Sequence, residues 1–102
     1  MLFHVTATHT AEDCPGYNLQ RMPEVVTSLE KLESLAKELN VKVHFLVNGA
    51  PEHVSFALLE ADNPGAVARV VNSIAIRQDF KVTPVQREED LMALARAMMG
   101  QR

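Results

Sequence analysis

Residues 41–64, VKVHFLVNGAPEHVSFALLEADNP, decide the fold. The first seven alternate, Val41, Val43, Phe45 and Val47 against Lys42, His44 and Leu46, which is the two-residue period of a half-buried strand. Asn48-Gly49 is a hairpin signal. A two-residue turn there would put Pro51 into a ladder to which it cannot donate, so a longer loop through Glu52 is expected. Residues 53–61 return as a second strand. Asp62-Asn63-Pro64 then caps a helix, with Pro64 in the first turn, where a missing N–H costs nothing.

Working outward from this stretch, residues 63–75 continue as a helix with Val67, Val70, Val71 and Ile74 on one stripe. Residues 80–85 (FKVTPV) form a short last strand, and Pro84 ends it or puts it at a sheet edge. Residues 87–99 form a terminal helix with an acidic first turn, apolar over a wide arc. Toward the N-terminus, residues 23–39 are a helix. Pro23 and Glu24 suit its start, and Val25, Val26, Leu29, Leu32, Leu35, Ala36 and Leu39 recur at spacings suited to one face. Residues 2–9 form the first strand, with Phe3, Val5 and Ala7 on one side and His4, Thr6 and Thr8 on the other. Between these two lies loop chemistry, TAEDCPGYN.

The order is βαββαβ plus a helix, an α+β fold expected to occupy residues 1–102 as one domain. It implies a ferredoxin-like, antiparallel four-stranded sheet with both long helices on one face. The first and third strands are read as parallel neighbours, with the second strand on the edge beside the third, so that His4 lies toward the same end as His53. The uncovered face would carry Leu46, Val54, Phe56 and Leu58 with His4, Thr6 and His44. An apolar sheet face open to water is a liability that a second copy would relieve.

Composition narrows the function. The chain has 102 residues, of which 47% are apolar, with ten basic side chains against thirteen acidic ones and a net charge of −3. That balance argues against nucleic acid as a partner. No apolar run approaches the roughly 18 residues of a membrane helix, and the first residues do not read as a signal peptide. Cys14 is the single cysteine, so no intrachain disulfide forms, and a cytoplasmic location is expected.

With the βαββαβ order, the strand HVSFALLEAD running into the Asn63-Pro64 cap and a C-terminal helix placed to brace a partner, the chain resembles the dimeric α+β barrel superfamily of small monooxygenases, isomerases, stress-responsive proteins and metal-binding proteins. Residues 4–17, HVTATHTAEDCPGY, resemble the start of a small uncharacterised family within it. The resemblance implies a homodimer whose two sheets close into a barrel, with any ligand in the lumen or at its mouth. A fold of this kind hosts many activities, so function has to be argued from residues.

Four histidines, His4, His9, His44 and His53, lie in or beside strands. Imidazole is a common metal ligand and the side chain best placed for proton transfer near neutral pH. His4 and His44 are read as a pair facing the lumen, with Thr6 and Tyr17 as further ligand-binding residues. His9 and Cys14, five residues apart across the loop, form a second constellation that shares a divalent metal or activates the thiol. The metal candidates are therefore His9, Cys14, His4 and His44, and nickel, zinc or copper suits such nitrogen and sulfur donors. The bland alternative is that each histidine is a polar strand residue satisfied by its neighbours and that Cys14 is a small loop contact. Three functions follow. The first is a homodimer that binds a transition metal or small ligand through strand histidines. The second is a cofactor-free oxygenase or isomerase acting on an apolar compound, with a lumen histidine as base. The third is a structural or regulatory assembly partner. No catalytic residue is assigned.

Overall fold

The computed structural model describes residues 1–100. The elements are β1 (Leu2–Thr8), α1 (Met22–Glu38), β2 (Lys42–Gly49), β3 (Val54–Glu60), α2 (Pro64–Asn72), β4 (Asp79–Val85) and α3 (Glu88–Gly100). They form an α+β fold with one four-stranded sheet, ordered β2-β3-β1-β4. The order is consistent with a ferredoxin-like arrangement.

Every pairing in the sheet is antiparallel, including β1 with β3. This corrects the expected parallel β1/β3 pair. The crossover through α1 makes β2 run with β1, and the hairpin then reverses β3, which inserts between them. The end of β1 therefore lies beside the start of β3, with Thr8 opposite Val54 and His4 opposite Leu58. His9, not His4, shares an end with His53.

The hairpin takes the longer route that Pro51 requires. A short 3-10 turn, Ala50–Glu52, separates the strands and ends at His53, whose φ of 55° is left-handed. Asn63 caps α2 as expected, its side-chain oxygen accepting from the Ala66 N–H at 2.9 Å. Pro84 lies on β4, an edge strand whose one neighbour in the sheet is β1.

β2 departs from simple alternation. Val43 pairs with Leu59 but Phe45 pairs with Leu58, so the chain bulges at His44. One extra residue exchanges the faces. Val43 and Leu46 pack against the core beneath the helices, whereas Phe45 and Val47 stay exposed in line with Phe56 and Leu58. The expectation that Leu46 lies on the open face, opposite to Phe45 and Val47, is thereby reversed.

The core lies between the sheet and the two helices. Phe3 and Leu59 from neighbouring strands meet Val67 and Val70 of α2, and all four are fully buried. Burial of each such side chain stabilises by about 1.5–3 kcal/mol. α1 contributes less, with Val25 and Ala36 buried and Leu29 exposed. α3 is exposed along its whole length. The radius of gyration, 16.6 Å, exceeds the roughly 13 Å of a compact chain this long; a projecting α3 accounts for the excess. No helix among the described residues is long and apolar enough to cross a membrane.

Candidate metal centre

The antiparallel β1/β3 pair builds the site. Beyond Thr8 the ladder takes one more step, in which the His9 N–H donates to the His53 carbonyl at 3.2 Å. His9 continues the helix-facing row Phe3, Val5, Ala7, and His53 precedes the matching row Ser55, Ala57, Leu59. The two rings meet edge to face, with centroids 5.1 Å apart. Nδ1 of His53 stands 3.4 Å from Nε2 of His9.

The loop after β1 folds back to supply the third group. The Cys14 N–H donates to the Ala11 carbonyl, and the Tyr17 N–H to the Cys14 carbonyl. Asn18 braces this turn from within, its side-chain amide donating to the carbonyls of Glu12 (2.6 Å) and Cys14 (3.0 Å). The Thr10 hydroxyl donates to the Asp13 carboxylate. A half-buried Cys14 is so held beside the histidines. One donor atom each from His9, Cys14 and His53 lies within 4.8 Å of the other two.

The electrostatics favour uncharged imidazole at His9. Burial, then the neighbouring His53, lower its pKa below the ordinary 6.5, while Asp13 and the Gln78 side chain act in the opposite direction. Its Nδ1 is buried with no hydrogen-bond partner among the described residues. A buried polar atom left without a partner costs about 1–3 kcal/mol, an expense more often met at functional sites than elsewhere.

The other candidates lie apart from this cluster. His4 is on the open face of β1, its ring 6.1 Å from that of Phe56. Thr6 follows on the same face, opposite Phe56 and Lys81. His44, on the β2 bulge, contacts the Glu60 carboxylate at 2.8 Å, and Arg87 donates to the same oxygen at 3.1 Å. Tyr17 is exposed, with its ring 5.9 Å from that of His53. Among the described residues, His9, Cys14 and His53 form the one three-donor group of histidine, cysteine or carboxylate. One residue of the site escaped the sequence reading. His53 did so because β1 and β3 were expected to run parallel; antiparallel pairing would have matched residue 9 with residue 53.

Comparison with known proteins bears on the fold and the family. No curated protein matches the chain in sequence. Among solved structures, SCO4226 from Streptomyces coelicolor A3(2) is similar, with a TM-score of 0.56 over 85% of this chain and all of that one. At 14% identity this is a likeness of fold alone. A family model described as a domain of unknown function, DUF3303, matches residues 1–99, and the chain belongs to that family.

Proposed function

We propose that this protein binds a divalent first-row transition ion through His9, Cys14 and His53, and that it does so as a homodimer. The convergence of three nitrogen and sulfur donors from three separate segments carries the reading. The donor set fits. Tetrahedral bonds of about 2.0–2.3 Å place ligand atoms roughly 3.3–3.8 Å apart, and the two imidazole nitrogens already stand at 3.4 Å. Cys14, on a loop, closes whatever distance remains. Two imidazoles and a thiolate suit zinc, nickel or copper better than magnesium or calcium, which take oxygen ligands. The lowered pKa of His9 keeps that ring unprotonated and available near neutral pH. A fourth position remains for water or an incoming ligand. The reading expects a reducing compartment such as the cytoplasm, where the thiol stays free.

The homodimer, in the manner of the dimeric α+β barrels, is supported by two unpartnered surfaces. α3 exposes Leu91, Leu94 and Met98, and the sheet exposes Phe45, Val47 and Phe56. In a two-fold contact each copy's arm and bare sheet would be covered at once. Val47→Glu should then give monomers by sedimentation, where the parent chain gives dimers. A parent chain that stays monomeric at micromolar concentration removes this part of the reading.

The metal is tested by equilibrium dialysis of tag-free protein against zinc, nickel and copper, followed by elemental analysis. The expected result is one ion per chain, lost in Cys14→Ser and in His53→Ala. No uptake of any of the three at micromolar levels, or uptake unchanged in both variants, would contradict the assignment.

A further inference from the structure

The two histidine rows do not end at the metal centre. One register step back along them, Ala7 and Ser55 face each other across the β1/β3 ladder on the side of the sheet that carries the helices. Both line a cavity of about 80 Å³. Its other walls include Val5 and Leu46 from the sheet, and Ile74 and Ile76 from the segment after α2. These walls are almost wholly apolar. Of the polar residues that line it, Asn48, Ser55 and Gln78, the first two are tied to each other, the serine hydroxyl donating to the Asn48 side-chain oxygen at 2.6 Å.

The wall after α2 is built in place. The Ala75 N–H donates to the Ser28 hydroxyl oxygen of α1 at 2.9 Å, and the same hydroxyl donates to the Val25 carbonyl at 2.7 Å. The Ser73 hydroxyl donates to the Val70 carbonyl. A space held open by such contacts and lined by carbon has little to offer water, which needs two or more polar partners. An apolar cavity of about 150 Å³ stays dry and takes up benzene or xenon. The present one, about half that size, suits a molecule of a few heavy atoms.

We propose that this cavity is a second binding compartment, for a small apolar molecule, one register step from the histidine pair. Ala7 and Ser55, which line it, stand two residues from His9 and His53 on the same two rows. An occupant therefore sits next to the metal-ligand cluster along the ladder, and its arrival is felt at the His9 ring.

Xenon is the probe, applied under pressure to the metal-free chain and followed by methyl and imidazole NMR. The expected result is a saturable shift of the Ala7, Val71, Ile74 and Ile76 methyl signals, together with the His9 ring signals. Val25 and Val67 should move little. Ile76→Phe fills the space and abolishes the saturable shift. Should that variant fold poorly, Phe80→Leu widens the same space, and uptake then moves toward propane over xenon. Small, uniform, unsaturable shifts over all methyls, a saturable shift that survives in folded Ile76→Phe, or an unchanged preference in Phe80→Leu would each overturn the proposal. The test needs no metal. A chain that takes xenon but no zinc, nickel or copper keeps this inference and loses the metal reading, and the converse result separates them the other way.

Discussion

Two corners of the sheet each hold histidine, and they use it differently. At the β2 bulge, His44 meets Glu60, which also accepts from Arg87. The carboxylate is held below its ordinary pKa of 4.5, first by His44 and then by Arg87, so the corner holds an anion matched to Arg87 and hydrogen-bonded to His44. At the opposite end of β3, His9 and His53 face each other and a thiol, and the Asp13 charge only partly offsets the burial of His9. A histidine with a carboxylate beside it is a satisfied structural group. Two histidines and a cysteine that converge on one another form a set of nitrogen and sulfur donors with no carboxylate among them, and the metal proposal rests on that set.

The sharpest way to break that contrast is to remove donors from each corner in turn. Cys14→Ser or His53→Ala should weaken metal binding by more than about 100-fold, since loss of mere supporting groups already costs 10–100-fold. His44→Ala should leave the affinity unchanged. Calorimetric titration of the three variants checks this, and equal losses in all three would erase the distinction between the corners.

A second difference follows in stability. Metal at 100 times its dissociation constant should stabilise the chain by about 2.7 kcal/mol. For a domain this size that raises the melting temperature by roughly 10–20 °C. Thermal melts with and without zinc should show the gain in the parent and in His44→Ala but not in Cys14→Ser.

The pH responses of the metal-free chain should differ as well. His9 has a folded pKa below 6.5, so the unfolded state binds more protons, and stability rises with pH up to about that value. Denaturant melts should show stability falling as the pH drops below 6.5, and His9→Gln should flatten the slope. Glu60 acts lower on the scale. Its folded pKa lies below 4.5, so its contribution is intact above that value and is lost as the pH falls through the folded pKa. Glu60→Gln should remove only this acid step. The change will be the smallest of the series, because the pair is exposed to solvent and screened by salt.

The elements themselves were legible. Alternation marked β1 and β2, Pro51 forbade the tight hairpin, and Asn63-Pro64 placed the start of α2. The open sheet face followed from counting helices. What failed was relational. The bulge at His44 has no local signature, because valine, phenylalanine and leucine around it are all apolar enough for either face. One inserted residue was enough to exchange Leu46 with Phe45 and Val47. The direction of β3 against β1 decided which histidines meet, and an error there moved attention from His53 to His4. Cys14 and His9 stood out through their proximity in sequence, whereas His53 joins them across 44 positions. The apolar arc of α3 was readable, but its detachment from the rest of the chain was not, since a stripe of leucine and methionine packs equally well at home or abroad.

The most direct test of the central assignment is a cobalt(II) titration of reduced, tag-free protein followed by optical absorption. His9, Cys14 and His53 binding one ion predict a sulfur-to-cobalt charge-transfer band that saturates at one equivalent, disappears in Cys14→Ser and persists in His44→Ala. A titration without that band, in protein whose thiol is shown to be free, would contradict the account.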